Sequence, residues 1–171
     1  MMRTRTGKNV DENGHMAAQG LADQTIIARW MDHAYFAAPP PKSLDRNEWD
    51  IAALGPLALD LQALKTEDAL ATLMAFTVRG ICESLQHFSA PPKAFYVAGG
   101  GRYNETMMVA LQMALPCPVR SVDMLGWDGD ATEAECFGYL AVRSMLGLPI
   151  SFPGTTGVPT PMSGGRITNP L

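Results

Sequence analysis

The longest amphipathic signal in the chain runs from Thr66 to Phe88. Leu70, Leu73, Met74, Thr77, Ile81, Leu85 and Phe88 recur at steps of three or four, the spacing that lines one face of an α-helix. Thr66 stands where a cap belongs, and Glu67 and Asp68 follow in the first turn, facing the positive end of the helix dipole. The pattern predicts a core helix packed on a sheet, ending near Phe88 before Pro91-Pro92. The period then changes. Residues 94–98 hold the strand formers Phe95, Tyr96 and Val97. Gly99, Gly100 and Gly101 follow, and Asn104 caps a helix over 104–115 with Met107, Met108, Leu111 and Leu115 at helical spacing. Pro116 and Pro118 end it, and Val119–Val122 reads as a second short strand. Strand, helix and strand in so short a stretch predict a parallel unit, with ligands bound beyond the carboxyl ends of the strands.

The flanks are less regular. Asp11-Glu-Asn-Gly14 reads as a turn, and a helix follows from about His15 to Tyr35, with Met16, Leu21, Ile26, Ile27 and Trp30 mostly inward. Gly20 inside it either weakens the helix or marks close packing. Pro39-Pro-Pro-Lys-Ser43 stops the helix and holds the chain extended, and Ser43 or Asp45 starts a short helix through Trp49 and Ile51. Residues 57–64 are apolar and leave helix and irregular structure open. Asp130-Ala-Thr-Glu133 has the form of a capping box for a helix that buries Ala134, Phe137, Leu140 and Ala141. From Pro149 onward, Pro, Gly, Thr and Ser predict a loop wrapped over the surface or a partly ordered tail.

A length of 171 residues suits one domain with a real core, and 47% apolar with 18% charged residues fits an ordinary globule. The net charge of -4, with no basic run, argues against a nucleic-acid partner. No window reaches the roughly 18 unbroken apolar residues of a membrane span. Cys82, Cys117 and Cys136 show neither Cys-x-x-Cys nor a disulfide framework, which suggests a reducing compartment and small core residues. His15, His33 and His87 lack metal-ligand spacing and read as surface or satisfied histidines.

The candidate chemistry sits at two places. At 99–101 the bare backbone between strand and helix offers outward amides to an anion, or is simply a tight turn. Its glycines match neither the spaced dinucleotide pattern nor the phosphate loop of the nucleoside triphosphatases. Glu133 is either a cap or a carboxylate that faces a ligand in a cleft. Lys42 either touches a phosphate or is solvated in a rigid loop.

An ordered set of matches adds to this reading: Asp11-Glu-Asn-Gly14 with Ala17 and Gly20; Pro41-Lys-Ser43 with Arg46 and Trp49; Ala71-Thr-Leu73 and Thr77; Gly99-Gly-Gly101 with Asn104; Glu133-Ala134 with Phe137, Leu140 and Ala141; and Thr156-Gly157 with Gly165 and Ile167. In that order the chain resembles the C-terminal half of the anhydro-N-acetylmuramic acid kinase family, within the sugar-kinase, heat-shock and actin superfamily. The resemblance implies an α/β fold: the C-terminal lobe of an actin-like, ribonuclease H-like ATPase, with a mixed sheet and packed helices, over residues 1–171. It implies an enzyme that uses ATP and a magnesium ion, opens the 1,6-anhydro ring of the sugar with water and phosphorylates it to N-acetylmuramic acid 6-phosphate in peptidoglycan recycling. Its partners are ATP and the anhydro-amino-sugar, in the cytoplasm, with a homodimer or a missing N-terminal lobe beside it. Gly99, Gly100, Gly101 and Asn104 take the nucleotide-binding role, and Glu133 faces the sugar. The phosphate loop and general-base aspartate of the first lobe are expected outside this chain, so no catalytic base is expected within it and activity is not expected of it alone. The alternative is a degenerate, non-catalytic interaction domain. Arg102-Tyr103 departs from the smaller residue, often with a histidine, that the family leads one to expect.

Overall fold

The computed structural model describes residues 1–44 and 55–168. The predicted helix at 66–88 is the spine of the fold, observed as Thr66–Glu83 followed by a 3-10 turn over Ser84–His87. Two apolar clusters share it. Around its first half, Ile26, Trp30 and Leu61 close on Ala69, with Leu73 and Phe76 packed against them. The Trp30 and Phe76 rings meet edge to face, centroids 5.2 Å apart, as aromatic quadrupoles favour. Around its second half, Val78 meets Leu111 and Leu115, with Phe95, Val97 and Val119 alongside.

Gripping from several sides changes which face is buried. Ala69, Ala71, Thr72 and Val78 are the buried positions, whereas Thr77 is exposed and Phe88 is 49% exposed. The cap also differs. Lys65 occupies the cap position with no side-chain bond, and Thr66 is already helical. Thr72 is fully buried; its hydroxyl donates to the Asp68 carbonyl (2.7 Å) and accepts from the Asp23 amide (3.0 Å). A buried hydroxyl with both functions used carries no desolvation penalty.

The fold opens with a short helix, α1 (Met2–Thr6), and the long helix expected from His15 to Tyr35 is broken into α2 (His15–Gln19), α3 (Gln24–Met31) and α4 (Ala34–Ala37). Gly20 ends α2 in an extended conformation, and a β-carbon there would collide with the backbone of Glu67 and Asp68. Close packing thus explains this glycine. Leu21 is thrown outward, 82% exposed, while its amide donates to Asp68. Asp23 then caps α3 by accepting from the Thr25 and Ile26 amides.

Residues 55–63 resolve the open choice as helix α5, Gly55–Ala63. The Arg5 guanidinium donates to the carbonyls of Leu61 (2.5 Å) and Leu64 (2.9 Å), a cation at a helix C-terminus where carbonyls lack partners. The helix expected to start at Ser43 or Asp45 and to reach Ile51 lies in its main part outside the described residues. Lys42 is half-buried and its ammonium is held within the protein: it donates to the carbonyls of Tyr35 (2.8 Å) and Phe36 (3.3 Å) and lies 4.6 Å from the Tyr35 ring centre.

The spine is α6, Thr66–Glu83. Beyond it come β1 (Phe95–Val97), α7 (Glu105–Ala114), β2 (Val119–Ser121), α8 (Thr132–Met145) and α9 (Pro153–Thr156). β1 and β2 pair in parallel, with Phe95 opposite Val119 and Val97 opposite Ser121. Among the described residues the sheet is this parallel pair, smaller than the mixed sheet expected. An antiparallel bridge joins Ser151 to Met162 apart from it, and the tail folds back so that Gly164 accepts from the Ser144 hydroxyl.

One burial expectation fails and another holds in part. No residue of α8 is buried: Phe137 is 64% exposed, and Ala134, Ala141, Val142 and Met145 also face solvent. Nothing among the described residues lies over that stripe. The cysteines meet the core expectation only at Cys82, which is half-buried against the Val78, Leu111 and Leu115 cluster; Cys117 is half-buried and Cys136 is exposed. Burial pushes the Cys82 thiol above its ordinary pKa.

Because the obstruction at Gly20 is backbone, it cannot swing aside. Gly20→Ala is expected to cost about 1–3 kcal/mol, the usual penalty for overpacking, read as a lowered urea midpoint with unchanged slope.

Candidate functional site

Parallel pairing sends the C-terminal ends of β1 and β2 to the same side of the sheet. β1 runs into Gly99–Gly101; β2 runs into a 3-10 turn at Val122–Leu125, a loop and then α8. The two exits are tied where the Gly99 amide donates to the Gly129 carbonyl at 2.8 Å. Gly99 has φ 70° and ψ -173°, a region open essentially to glycine. The chain then winds as a 3-10 turn over Gly100–Tyr103.

The amides of the turn divide into two sets. The Gly99, Arg102 and Asn104 amides are bonded within the protein, to Gly129, Gly99 and Gly101 carbonyls. The amides of Gly100 and Gly101 find no acceptor among the described residues. Asn104 caps α7 as expected, its side chain accepting from the Met107 amide at 2.9 Å. Against that cap lies the first segment of the chain. The Thr106 hydroxyl donates to the Asn13 carbonyl (2.8 Å), and Gly14, at φ 72°, fits where a β-carbon would strike Asn104 and Thr106. Asp11 holds this corner by accepting from the Met16 and Ala17 amides. An open cleft of about 690 Å3 results, lined by Asp11, Asn13, Gly100, Gly101, Tyr103 and Asn104 among others.

Behind the turn is a charged cluster that sequence reasoning did not identify. The Arg102 side chain is only 4% exposed. Its Nε donates to Asp123 (2.9 Å), its Nη1 to Asp130 (2.7 Å) and the Gly99 carbonyl (3.0 Å), and its Nη2 to the Tyr103 hydroxyl (2.6 Å). Tyr103 passes a further bond to Asp130 (2.7 Å), and Asp123 also accepts from the Gly129 amide (3.0 Å). Its other carboxylate oxygen is bonded to the Ser121 hydroxyl as well as to Arg102. Both carboxyls are held down at a pKa of about 2, Asp123 first by Ser121, then by the Gly129 amide and Arg102, and Asp130 first by Arg102, then by Tyr103. The Asp130 bond pushes the Tyr103 phenol above its ordinary pKa, and the same carboxylates push Arg102 up further still. The signal available in sequence was the pair Arg102-Tyr103 after the glycines and the run of Asp123, Asp128 and Asp130 twenty-odd residues on.

This cluster overturns the capping box. Asp130 turns to Arg102 and Tyr103 instead of capping α8, whose cap position is Ala131, without a side-chain bond. Asp128 takes over locally, accepting from the Asp130 and Ala131 amides. The Asp130 amide is therefore unavailable to Glu133. Glu133 stands exposed in the first turn of α8 and does not line the cleft of Gly100, Gly101 and Asn104. The structure thus brings those three residues together and places Glu133 on the neighbouring exit, which the Gly99–Gly129 bond joins to theirs.

Among the described residues no three His, Cys, Asp or Glu side chains are grouped to hold a metal ion. Asp123 and Asp130, behind the turn, are taken by Arg102, and Asp11, in the cleft, by the Met16 and Ala17 amides. These residues therefore do not fit a magnesium ion of their own.

Two outcomes follow from the cluster. A β-carbon at Gly129 would collide with the Arg102 guanidinium, so Gly129→Ala is expected to destabilise the protein but to cost far less in an Arg102→Ala background. A double-mutant cycle of melting curves reads this non-additivity. The acid limb has a definite sign as well. Asp123 and Asp130 bind protons at about 2 when folded and near 3.9 when unfolded. Their stabilisation is complete above pH ~5 and is lost as pH falls through about 2. Carboxyl NMR titration should place both midpoints near the lower value, and Asp130→Asn should make stability fall less steeply between them, with Asp123 supplying the remaining slope.

The anhydro-N-acetylmuramic acid kinase family model matches residues 1–170. The chain is 46% identical over 169 residues to the anhydro-N-acetylmuramic acid kinase of Acidiphilium cryptum (strain JF-5), covering 99% of this chain and 46% of that one. It is 45% identical over 167 residues to the enzyme of that name from Caulobacter vibrioides, covering 98% and 43%. Against that of Rhodopseudomonas palustris (strain HaA2) it is 47% identical over 165 residues, covering 96% and 43%. The chain spans less than half the length of these curated relatives. With a match along all but its last residue, the chain belongs to the anhydro-N-acetylmuramic acid kinase family.

Proposed function

We propose that this chain is the C-terminal lobe of an ATP-dependent anhydro-N-acetylmuramic acid kinase and supplies one wall of its cleft. In this reading the 1,6-anhydro ring is opened by water and the sugar leaves as N-acetylmuramic acid 6-phosphate, within peptidoglycan recycling in the cytoplasm. The observation that carries the reading is the pair of Gly100 and Gly101 amides without acceptors, beside the Asn104-capped start of α7 in an open cleft. Amides that converge at a helix start suit a phosphate group. Asn104, which lines the cleft and is occupied as the cap of α7, shapes the turn. Glu133, exposed and without a capping partner, is the carboxylate assigned to orient the attacking water or a sugar hydroxyl.

Phosphoryl transfer is mostly positioning and charge neutralisation, so one wall alone does little. The general base and the phosphate loop are assigned to a first lobe outside this chain. Magnesium enters only as the family's metal, with no ligand assigned among these residues. A second reading, a non-catalytic interaction domain that pairs with itself, draws on the exposed stripe of α8, where Phe137, Val142 and Met145 face solvent.

The deciding assay supplies ATP, magnesium and the anhydro-sugar to the chain with and without the N-terminal half of the Acidiphilium cryptum enzyme. Turnover is expected only with both. In that mixture Glu133→Gln should lower turnover roughly 100-fold, the scale of a lost acid-base or orienting group, with ADP affinity unchanged. Full turnover by the chain alone would refute the divided cleft; dimers that bind neither ligand and stay inactive with the added half would favour the second reading.

A further inference from the structure

The glycine turn is not held by its strand and helix alone. Arg102 uses four donor contacts, to Asp123, Asp130, the Gly99 carbonyl and Tyr103. Two of these acceptors belong to the β2 exit and its loop, and two to the turn itself. The guanidinium therefore bridges both sides of the Gly99–Gly129 bond. Its partners are all protein groups, and with two carboxylates around one guanidinium the cluster carries a net charge of about -1 when all are ionised. Such a cluster does not attract a phosphate by charge. What it supplies is a fixed backbone.

We propose that Arg102 is the positioning residue for nucleotide capture: it clamps the glycine turn to the loop before α8, so that the Gly100 and Gly101 amides keep one aim toward the phosphates of a nucleoside diphosphate. It acts by geometry, through the planar fork that lysine lacks, and not by neutralising the site. The proposal rests on the reading of the turn as a nucleotide site. A loose turn must be ordered when the ligand binds, and that cost appears as lost affinity.

The test uses the whole chain and three variants: Arg102→Lys, Arg102→Met, and Arg102→Met combined with Asp123→Asn and Asp130→Asn. Amide hydrogen exchange needs no ligand. Exchange of Gly99, whose amide is bonded to Gly129, should quicken by roughly tenfold or more in all three, while Val78 and Leu111 in the core keep their protection. Calorimetry with ADP should show affinity lowered roughly tenfold in Arg102→Lys, although the charge is kept, and no recovery in the triple variant, although the surplus negative charge is gone. Native protection of Gly99 in both Arg102→Lys and Arg102→Met would overturn the clamp. Restored ADP affinity in the triple variant would overturn geometry in favour of charge. If the unaltered chain binds no ADP while the variants loosen Gly99, the nucleotide reading falls and Arg102 remains a structural clamp only. Should Arg102→Met lose core protection as well, Arg102→Lys decides, since it keeps the stem and the charge.

Discussion

The arrangement at the strand exits depends on one buried cation. Two strands of three residues each give little sheet to hold the loops beyond them. Arg102 makes up for this with hydrogen bonds to charged groups, which are shorter and stronger than neutral ones. A guanidinium removed from water needs acceptors for its donors, and Asp123, Asp130, Tyr103 and the Gly99 carbonyl provide them. The requirement runs in both directions. The carboxylates keep their charge to lower pH because Arg102 and the neighbouring hydroxyls are there, and Gly129 must lack a side chain because the guanidinium fills that space.

The rest of the molecule is organised along α6. Its two halves serve two apolar clusters, one with α3 and α5 and one with α7 and the sheet. The N-terminal segment reaches the candidate site through the second of these helices, by way of Asn13, Gly14 and Thr106. The cleft is therefore assembled from residues about 90 positions apart in sequence. By contrast α8 contributes no buried residue. Its amphipathic stripe is real, but an apolar stripe only states that a partner suits it, not where that partner is.

Local rules succeeded where the interaction was local. The strand, glycine turn, helix and parallel strand stand within a residue or two of their predicted bounds, and Asn104 caps α7 through its own Met107. They failed where a distant group competed. Asp130 has the form of a cap, yet a buried guanidinium 28 residues away outbids the α8 amides for its carboxylate. The His15–Tyr35 periodicity continues across Gly20, yet the chain turns extended there, and Gly20 packs so close to the Glu67 backbone that a β-carbon would not fit. Lys42 looked solvated or ligand-bound, and two carbonyls at the end of α4 claimed it.

By itself, then, the order of residues determined the periods, the turn with its bare backbone, the local cap at Asn104 and the kinship to a kinase family, because each of these is written in neighbours along the chain. Only the folded molecule decided which charges pair, which amides remain without acceptors and which apolar faces stay in water. Those outcomes depend on distances between segments far apart in sequence, and spacing along a chain does not contain them.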